Sequence, residues 1–226
     1  MDKPRESPWG TTTREQKHGI EFNIVEYKEL EEYTENKGLD FIVSCWDLKS
    51  LQEVEDNLNV RYHKVASALA TDKEFLEALH STGKPIILST GMCTEEQVDA
   101  ALRILKHTCY ILACTSTYPT KLEEVNLNYI TTLKEKYPHL NVGFSNHYNG
   151  FAALMGATAL GSECLEFHIT KDRTMYGSDQ TASIESVNDL MTNIRNIEKL
   201  LGDGKKVVYD SEVPIAEKLR KVSDTV

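Results

Sequence analysis

No stretch of this chain approaches the ~18 consecutive apolar residues of a membrane span. Its first ten residues, Met-Asp-Lys-Pro-Arg-Glu-Ser-Pro-Trp-Gly, lack the apolar core of a secretory signal. The expectation is a soluble, cytoplasmic protein with no membrane partner. Positive charge is also scarce: 25 Lys and Arg stand against 35 Asp and Glu, a net charge of −10 and a pI near 5.2. Most of such a surface repels a phosphate backbone, so nucleic acid is not an expected partner. A small anion is still admissible, because a few local cations and backbone N–H groups can hold one. The five cysteines, Cys45, Cys93, Cys109, Cys114 and Cys164, form no C-x-x-C pair. They read as buried thiols in a reducing compartment, with a zinc cluster as the lesser alternative. Neither G-x-G-x-x-G nor a P-loop follows the first expected strand, which weakens a nucleotide-binding sheet.

What the chain does have is alternation. Its 226 residues, 40% of them hydrophobic, can bury one sizeable core, so residues 1–226 are read as a single domain. Residues 1–20 are polar and marked by Pro and Gly, an irregular lead-in. Helix-period patterns are expected over residues 26–37, 48–58, 71–80, 94–105, 122–137 and 150–159. A long final helix should bury Val187, Leu190, Met191, Ile194, Ile197 and Leu201. Between them, residues 41–45, 62–67, 85–90, 109–114, 142–145 and 164–170 read as short buried strands. Six apolar strands alternating with helices imply right-handed βαβ crossovers and a parallel sheet. Polar residues gather at the strand C-termini, which favours a (β/α)₈-type (TIM) barrel over an open doubly wound sheet. A closed barrel needs eight strands, so the expectation is an incomplete α/β barrel.

In a parallel barrel the strand C-termini face one crevice, where distant residues converge. The last strand puts Glu166, His168 and Thr170 on one face. A carboxylate and an imidazole on an inner face build a site more naturally than they fill a core. Lys64 alternates with Tyr62 and Ala66, and a lysine aimed into a barrel needs an anion, either a ligand or Glu166 itself. Hydroxyls of Ser67, Ser116 and Ser145 could complete a phosphate cradle. His147 and His168 end adjacent strands, near enough for both imidazoles to reach one divalent metal, although a strand-end histidine is also a common hydrogen-bonded structural residue. Two imidazoles with open positions suit manganese, zinc or cobalt better than calcium. Cys45 and Cys114 read as core, and His18, His63, His80, His107 and His139 as structural or solvent-facing.

Taken together, five stretches resemble the sialic acid synthase (N-acetylneuraminate synthase) family. They are Lys64-Val-Ala-Ser67; Ile87-Leu-Ser-Thr-Gly-Met92; Cys114-Thr-Ser-Thr-Tyr-Pro119 with Glu123-Glu-Val-Asn-Leu127; Val142-Gly-Phe-Ser-Asn-His147; and Glu166-Phe-His-Ile-Thr-Lys-Asp-Arg-Thr-Met175 with Gly177-Ser-Asp-Gln180. Their order and spacing agree over most of residues 7–212. The resemblance implies a TIM barrel that condenses phosphoenolpyruvate with an open-chain N-acetylhexosamine, giving a nonulosonate and phosphate by C–O cleavage. It implies His147 and His168 as the metal pair, with manganese first and magnesium, cobalt or zinc as alternatives. Lys64, Ser67, Ser116, Tyr118, Ser145 and Cys45 would form the phosphoenolpyruvate site, Glu166 would be the catalytic carboxylate assisted by Lys64, and Asp179 would contact sugar or metal-bound water. Two further strands precede this region in the family, which implies a homo-oligomer or a complementing N-terminal fragment. Two departures leave the sugar open: Cys45 stands where threonine is usual, and Ala68-Leu-Ala70 where Gly-Asp or Gly-Glu and then Asn is common.

Overall fold

The structure, a computed structural model, describes residues 3–176 and 184–221. Its centre is a parallel sheet of five strands: β3 (His63–Val65), β4 (Ile86–Ser89), β5 (Thr108–Cys114), β6 (Asn141–Ser145) and β7 (Leu165–Glu166). They lie side by side in sequence order, each hydrogen-bonded to the next. Sequential order with parallel pairing is the connectivity of a barrel rather than of a doubly wound sheet.

The register sorts the side chains. Lys64 lies opposite Ile87, Ser89 opposite Leu112, and Cys114 opposite Ser145, which in turn lies opposite Glu166. These share one face. The alternating set Val65, Ile86, Leu88, Ile111, Ala113, Val142 and Phe144 is fully buried on the other. That second face packs on helices α3 (Leu48–Asn57), α4 (Lys73–Ser81), α5 (Glu95–Ile104), α6 (Asn128–Lys136), α7 (Ala152–Ala159) and α8 (Val187–Leu200). Thr94 shows how the sequence starts these helices: its hydroxyl accepts from the Gln97 N–H while the Gln97 side chain accepts from the Thr94 N–H.

The sheet curls. Neighbouring strands are about 4.8 Å apart, so β3 and β7 would lie roughly 19 Å apart in a flat sheet, beyond the reach of a lysine and a glutamate. Yet Lys64 Nζ on β3 is 3.3 Å from Glu166 Oε1 on β7. The first and last strands face each other across a half-barrel, and the Lys64 face is its lumen. A cavity of about 320 Å³ lies there, lined by Ile42, Ser44, Lys64, Ile87, Leu112 and Glu166 among others.

Several expectations are corrected. Residues 41–45 keep the side-chain alternation of a strand, with Cys45 buried and Phe41 and Val43 packed on the core while Ile42 and Ser44 face the cavity. They make no ladder with β3, so the sheet has five strands, not six. The lead-in is ordered as a hairpin, β1 (Pro4–Ser7) with β2 (Gly10–Thr12), followed by α1 (Thr13–Ile20). The first long helix, α2 (Ile24–Glu35), starts two residues early because Asn23 caps it in a box with Glu26. Strand β7 has only two residues, the chain rejoining regular pairing at the Ile169–Ile184 bridge. Leu201, placed in the buried stripe of the last helix, lies beyond the end of α8 and is exposed.

Candidate active site

The C-terminal ends of the strands hold two linked polar groups. In the first, Lys64 is almost wholly buried, 7% exposed, and its ammonium donates to Ser89 Oγ at 2.8 Å and to the Val65 carbonyl at 2.9 Å. Its ion-pair partner Glu166 accepts through Oε2 from Ser145 Oγ at 2.5 Å and from Ser89 Oγ at 3.2 Å. Ser89 accepts from the lysine and donates to the glutamate, so both polar atoms of the pair are satisfied. Burial pushes the Glu166 carboxyl up, but the Lys64 charge and the hydrogen bonds from Ser145, Lys64 and Ser89 outweigh it and hold the group below its ordinary range.

The second group surrounds the Cys114 thiol. Its sulfur lies 3.6 Å from Ser67 Oγ, 3.5 Å from Ser116 Oγ and 3.8 Å from His147 Nδ1. The Gly91 N–H donates to Ser67 Oγ at 3.0 Å. Burial alone raises a thiol, yet interactions with His147, Ser116, Ser145 and Ser67 bring Cys114 down to about 7. Gly91 makes the space: a Cβ there would stand 2.1 Å from Ser116 Oγ and 2.8 Å from Ser67 Oγ.

His147 is buried, and its Nδ1 lies 3.0 Å from the Thr115 carbonyl. A carbonyl only accepts, so Nδ1 carries the proton and Nε2 holds the free lone pair of the neutral ring. Burial lowers the pKa of this imidazole, but Cys114, the Thr115 carbonyl and Glu166 reverse the direction and raise it. The His168 ring centroid lies 5.2 Å away; burial and then the neighbouring His147 hold this second ring below its ordinary value, favouring the neutral form a metal needs. The Tyr118 ring packs on both, at 4.2 Å from His147 and 6.1 Å from His168. The donor set fits a divalent cation: a fixed Nε2 on His147, a neutral neighbouring imidazole and open positions around them. Among the described residues no cluster of three or more His, Cys, Asp and Glu side chains is arranged to hold a metal.

Lys64, Ser67, Ser116, Tyr118, Ser145, Glu166, His147 and His168 thus meet in one crevice. Cys45 does not: it is buried in the apolar cluster with Leu51, Val54 and Val65, and burial pushes its thiol up to about 11. Asp179 lies outside the described residues. Cys114, read from the sequence as core, faces the site instead, and Gly91 was not singled out at all. The signal for Cys114 was its register opposite Ser145 on the lumen face.

The chain is similar to known proteins in sequence and in fold. Human N-acetylneuraminate-9-phosphate synthase is 35% identical over 219 residues, covering 94% of this chain and 60% of its own. The N,N'-diacetyllegionaminic acid synthase of Campylobacter jejuni is 33% identical over 201 residues, 85% of this chain and 60% of its own. This chain therefore spans about 60% of the length of those relatives. Among solved structures, the N-acetylneuraminic acid (sialic acid) synthetase of Leptospira borgpetersenii, in complex with citrate, superposes with a TM-score of 0.78 at 32% identity, covering 89% of this chain and 73% of that one. A truncated 3-deoxy-D-arabino-heptulosonate 7-phosphate synthase from Thermotoga maritima shares the fold at TM-score 0.64 and 15% identity, covering 80% of this chain and 72% of that one. The NeuB family pattern matches residues 3–206, nearly the whole of the described chain, and this protein belongs to the NeuB family.

Proposed function

We propose that this chain carries the site that condenses phosphoenolpyruvate with the open-chain aldehyde of an N-acetylated hexosamine, giving a nonulosonate and phosphate. The observation that carries the reading is the curl of the sheet, which sets a buried lysine, an ionised glutamate, a ring of hydroxyls and two imidazoles in one crevice. The names of the relatives support the same reaction class.

The residues divide the work by charge. Lys64, with the hydroxyls of Ser67 and Ser116, is the cationic and hydrogen-bonding side suited to the carboxylate and phosphate of phosphoenolpyruvate. An anion drawn to Lys64 competes with Glu166 for the ammonium. That competition removes the strongest influence lowering the Glu166 carboxyl, and its basicity rises when substrate is present. Glu166 is then placed to take a proton from the water that adds at C2 of phosphoenolpyruvate, while C3 forms the bond to the aldehyde carbon and the former carbonyl oxygen gains a proton to become a hydroxyl. The tetrahedral C2 then collapses to a ketone as its C–O bond to phosphate breaks and phosphate leaves. Ser145 keeps the carboxylate oriented through its hydrogen bond to Oε2. His147 Nε2 and His168 would hold the divalent metal, manganese first, which when bound supplies Lewis-acid polarisation of the acceptor carbonyl. Tyr118, packed on both rings, walls this side of the crevice.

A second reading is favoured by the two sheet edges, β3 and β7, which have no further strand beside them among the described residues. In that reading the chain binds phosphoenolpyruvate and metal but completes its acceptor half only with more polypeptide, from the same protein, a complementing fragment or a second copy. Exposed Phe22, Val25, Leu39, Ile42 and Trp46, near the β3 side, are surfaces such a segment would cover.

The test is phosphate release from phosphoenolpyruvate with Mn²⁺ and a panel of N-acetylated hexosamines, with EDTA as control. Release that needs both acceptor and metal is the expected result. Binding of phosphoenolpyruvate without release under any acceptor would favour the second reading, and absence of both binding and release would overturn the assignment.

A further inference from the structure

The N-terminal hairpin and α1 reach between the two sides of the half-barrel. At one end, Lys17 of α1 lies over the Trp46 ring, 5.4 Å from its centroid, just after the segment whose Ile42 and Ser44 line the lumen. At the other, Trp9 at the hairpin turn meets Tyr176 edge-on, centroids 5.5 Å apart at 87°. The Tyr176 hydroxyl also donates to the Glu6 carbonyl at 3.5 Å. Tyr176 lies on the limb that leaves His168. The base of this limb is independently tied down: Arg173 donates to Asn149 at 2.9 Å, and its backbone N–H to Glu185 at 3.0 Å. Asn149 follows His147 by two residues, so these ties join the hairpin, the loop after β6 and the limb after β7 around the two imidazoles.

Gly19 supplies a second observation. It sits near the end of α1, where glycine weakens a helix, and a Cβ there would come within 2.0 Å of Trp9 Cγ and 2.3 Å of Cδ1. The missing side chain is the seat of the indole. A tryptophan 43% exposed does little for a core, so a seat cut for it in a helix points to the contact it makes next, with Tyr176.

Resting on the function proposed above, we propose that Trp9 is a positioning residue for the acceptor side of the site. Seated on Gly19, its indole clasps Tyr176 and fixes the hairpin onto the limb that leaves His168. Trp9 itself touches neither the imidazoles nor the Lys64–Glu166 pair in any contact described above, so its effect passes through the limb. The side of the crevice built from Lys64, Ser67 and Ser116 is left unaltered by its loss.

Lys171 and Arg173 make the limb a natural trypsin target, which gives a readout independent of turnover. The full chain would be compared as wild type, Trp9→Ala, Trp9→Phe and Gly19→Ala, with far-UV circular dichroism confirming the fold and mass spectrometry mapping the cuts. Cleavage after Lys171 and Arg173 should be about fivefold or more faster in Trp9→Ala and Gly19→Ala, and near wild type in Trp9→Phe. In the phosphate-release assay, Trp9→Ala should raise KM for the acceptor several-fold with KM for phosphoenolpyruvate unchanged. Unchanged cleavage in Trp9→Ala, or an equal increase at sites throughout the chain, would overturn the clasp. A wild-type chain that neither binds phosphoenolpyruvate nor releases phosphate would sink the functional reading instead, while the cleavage pattern still decides whether the clasp exists.

Discussion

Replacing Glu166 by Gln should cost more stability than replacing Lys64 by Met, although both changes break the same 3.3 Å ion pair. The asymmetry follows from burial. The Lys64 side chain is 8% exposed and that of Glu166 40%. Glu166→Gln therefore strands an ammonium that water scarcely reaches without a counter-charge, leaving it only neutral acceptors, Ser89 Oγ and the Val65 carbonyl among them. Removing one partner of a fully buried pair costs about 3–5 kcal/mol, and with those two acceptors retained we expect ~2–3 kcal/mol. Lys64→Met strands a carboxylate that water reaches and that still receives Ser145 and Ser89, so solvent screening reduces the cost to ~1 kcal/mol. In a chain of this size each kcal/mol moves Tm by about 2–4 °C, so the two variants should fall by roughly 6–9 °C and 3 °C. The double variant should be less destabilised than the sum of the singles by ~1 kcal/mol or more, because it leaves no unpaired charge. Urea titration of all four proteins measures the cycle. The reasoning fails if Lys64→Met costs as much as Glu166→Gln, or if the two effects simply add.

Three further outcomes are expected. His63, buried 3.1 Å from Glu55 Oε1, has its pKa lowered by burial more than Glu55 restores it. The unfolded chain therefore takes up a proton that the folded chain resists, and stability should fall as pH drops below about 6.5; His63→Leu should flatten that decline in urea midpoints measured on either side of this range. With Cys114 near 7 and Cys45 pushed up to about 11, iodoacetamide near neutral pH should label Cys114 well before Cys45, and phosphoenolpyruvate should slow it; equal labelling read by mass spectrometry would contradict the thiol environment described. His168→Ala should abolish Mn²⁺ or Co²⁺ binding in a titration while leaving the circular dichroism spectrum and Tm nearly unchanged, since the residue is only partly buried and stays open to solvent on one side; retained binding would remove the imidazole pair from the metal site.

The barrel was legible because its parallel strands bury their outer face completely, so the core strands stand out as short apolar runs between amphipathic helices. Lys64 and Glu166 were legible for the opposite reason: a charge in such a run has to meet a partner. The lysine's two readings, ligand anion or glutamate, are not exclusive, since the glutamate holds the ammonium until an anion competes. Residues 41–45 misled because alternation reports where side chains point, not whether the backbone has a neighbour to bond. Phe41, Val43 and Cys45 pack inward as a strand's would, beside no ladder. The hairpin at residues 4–12 was hidden by Pro4, Pro8 and Gly10, which read as breaks although Thr12 and Glu15 form a full capping box immediately after. Cys114 was lost to the habit of counting cysteine as a small hydrophobe, and its polar surroundings come from Ser67, Ser145 and His147 on two other segments and from Ser116 two residues along its own. Gly91 acts by what it lacks, which no side-chain pattern can display.

The central claim, that this crevice condenses phosphoenolpyruvate with loss of phosphate from carbon, is tested most directly with phosphoenolpyruvate carrying ¹⁸O at the bridging oxygen. With Mn²⁺ and an N-acetylated hexosamine, the account predicts that the released phosphate keeps the label, because the C–O bond breaks as water adds at C2. Phosphate released without the label, accompanied by pyruvate, would mean cleavage at phosphorus and would contradict the account.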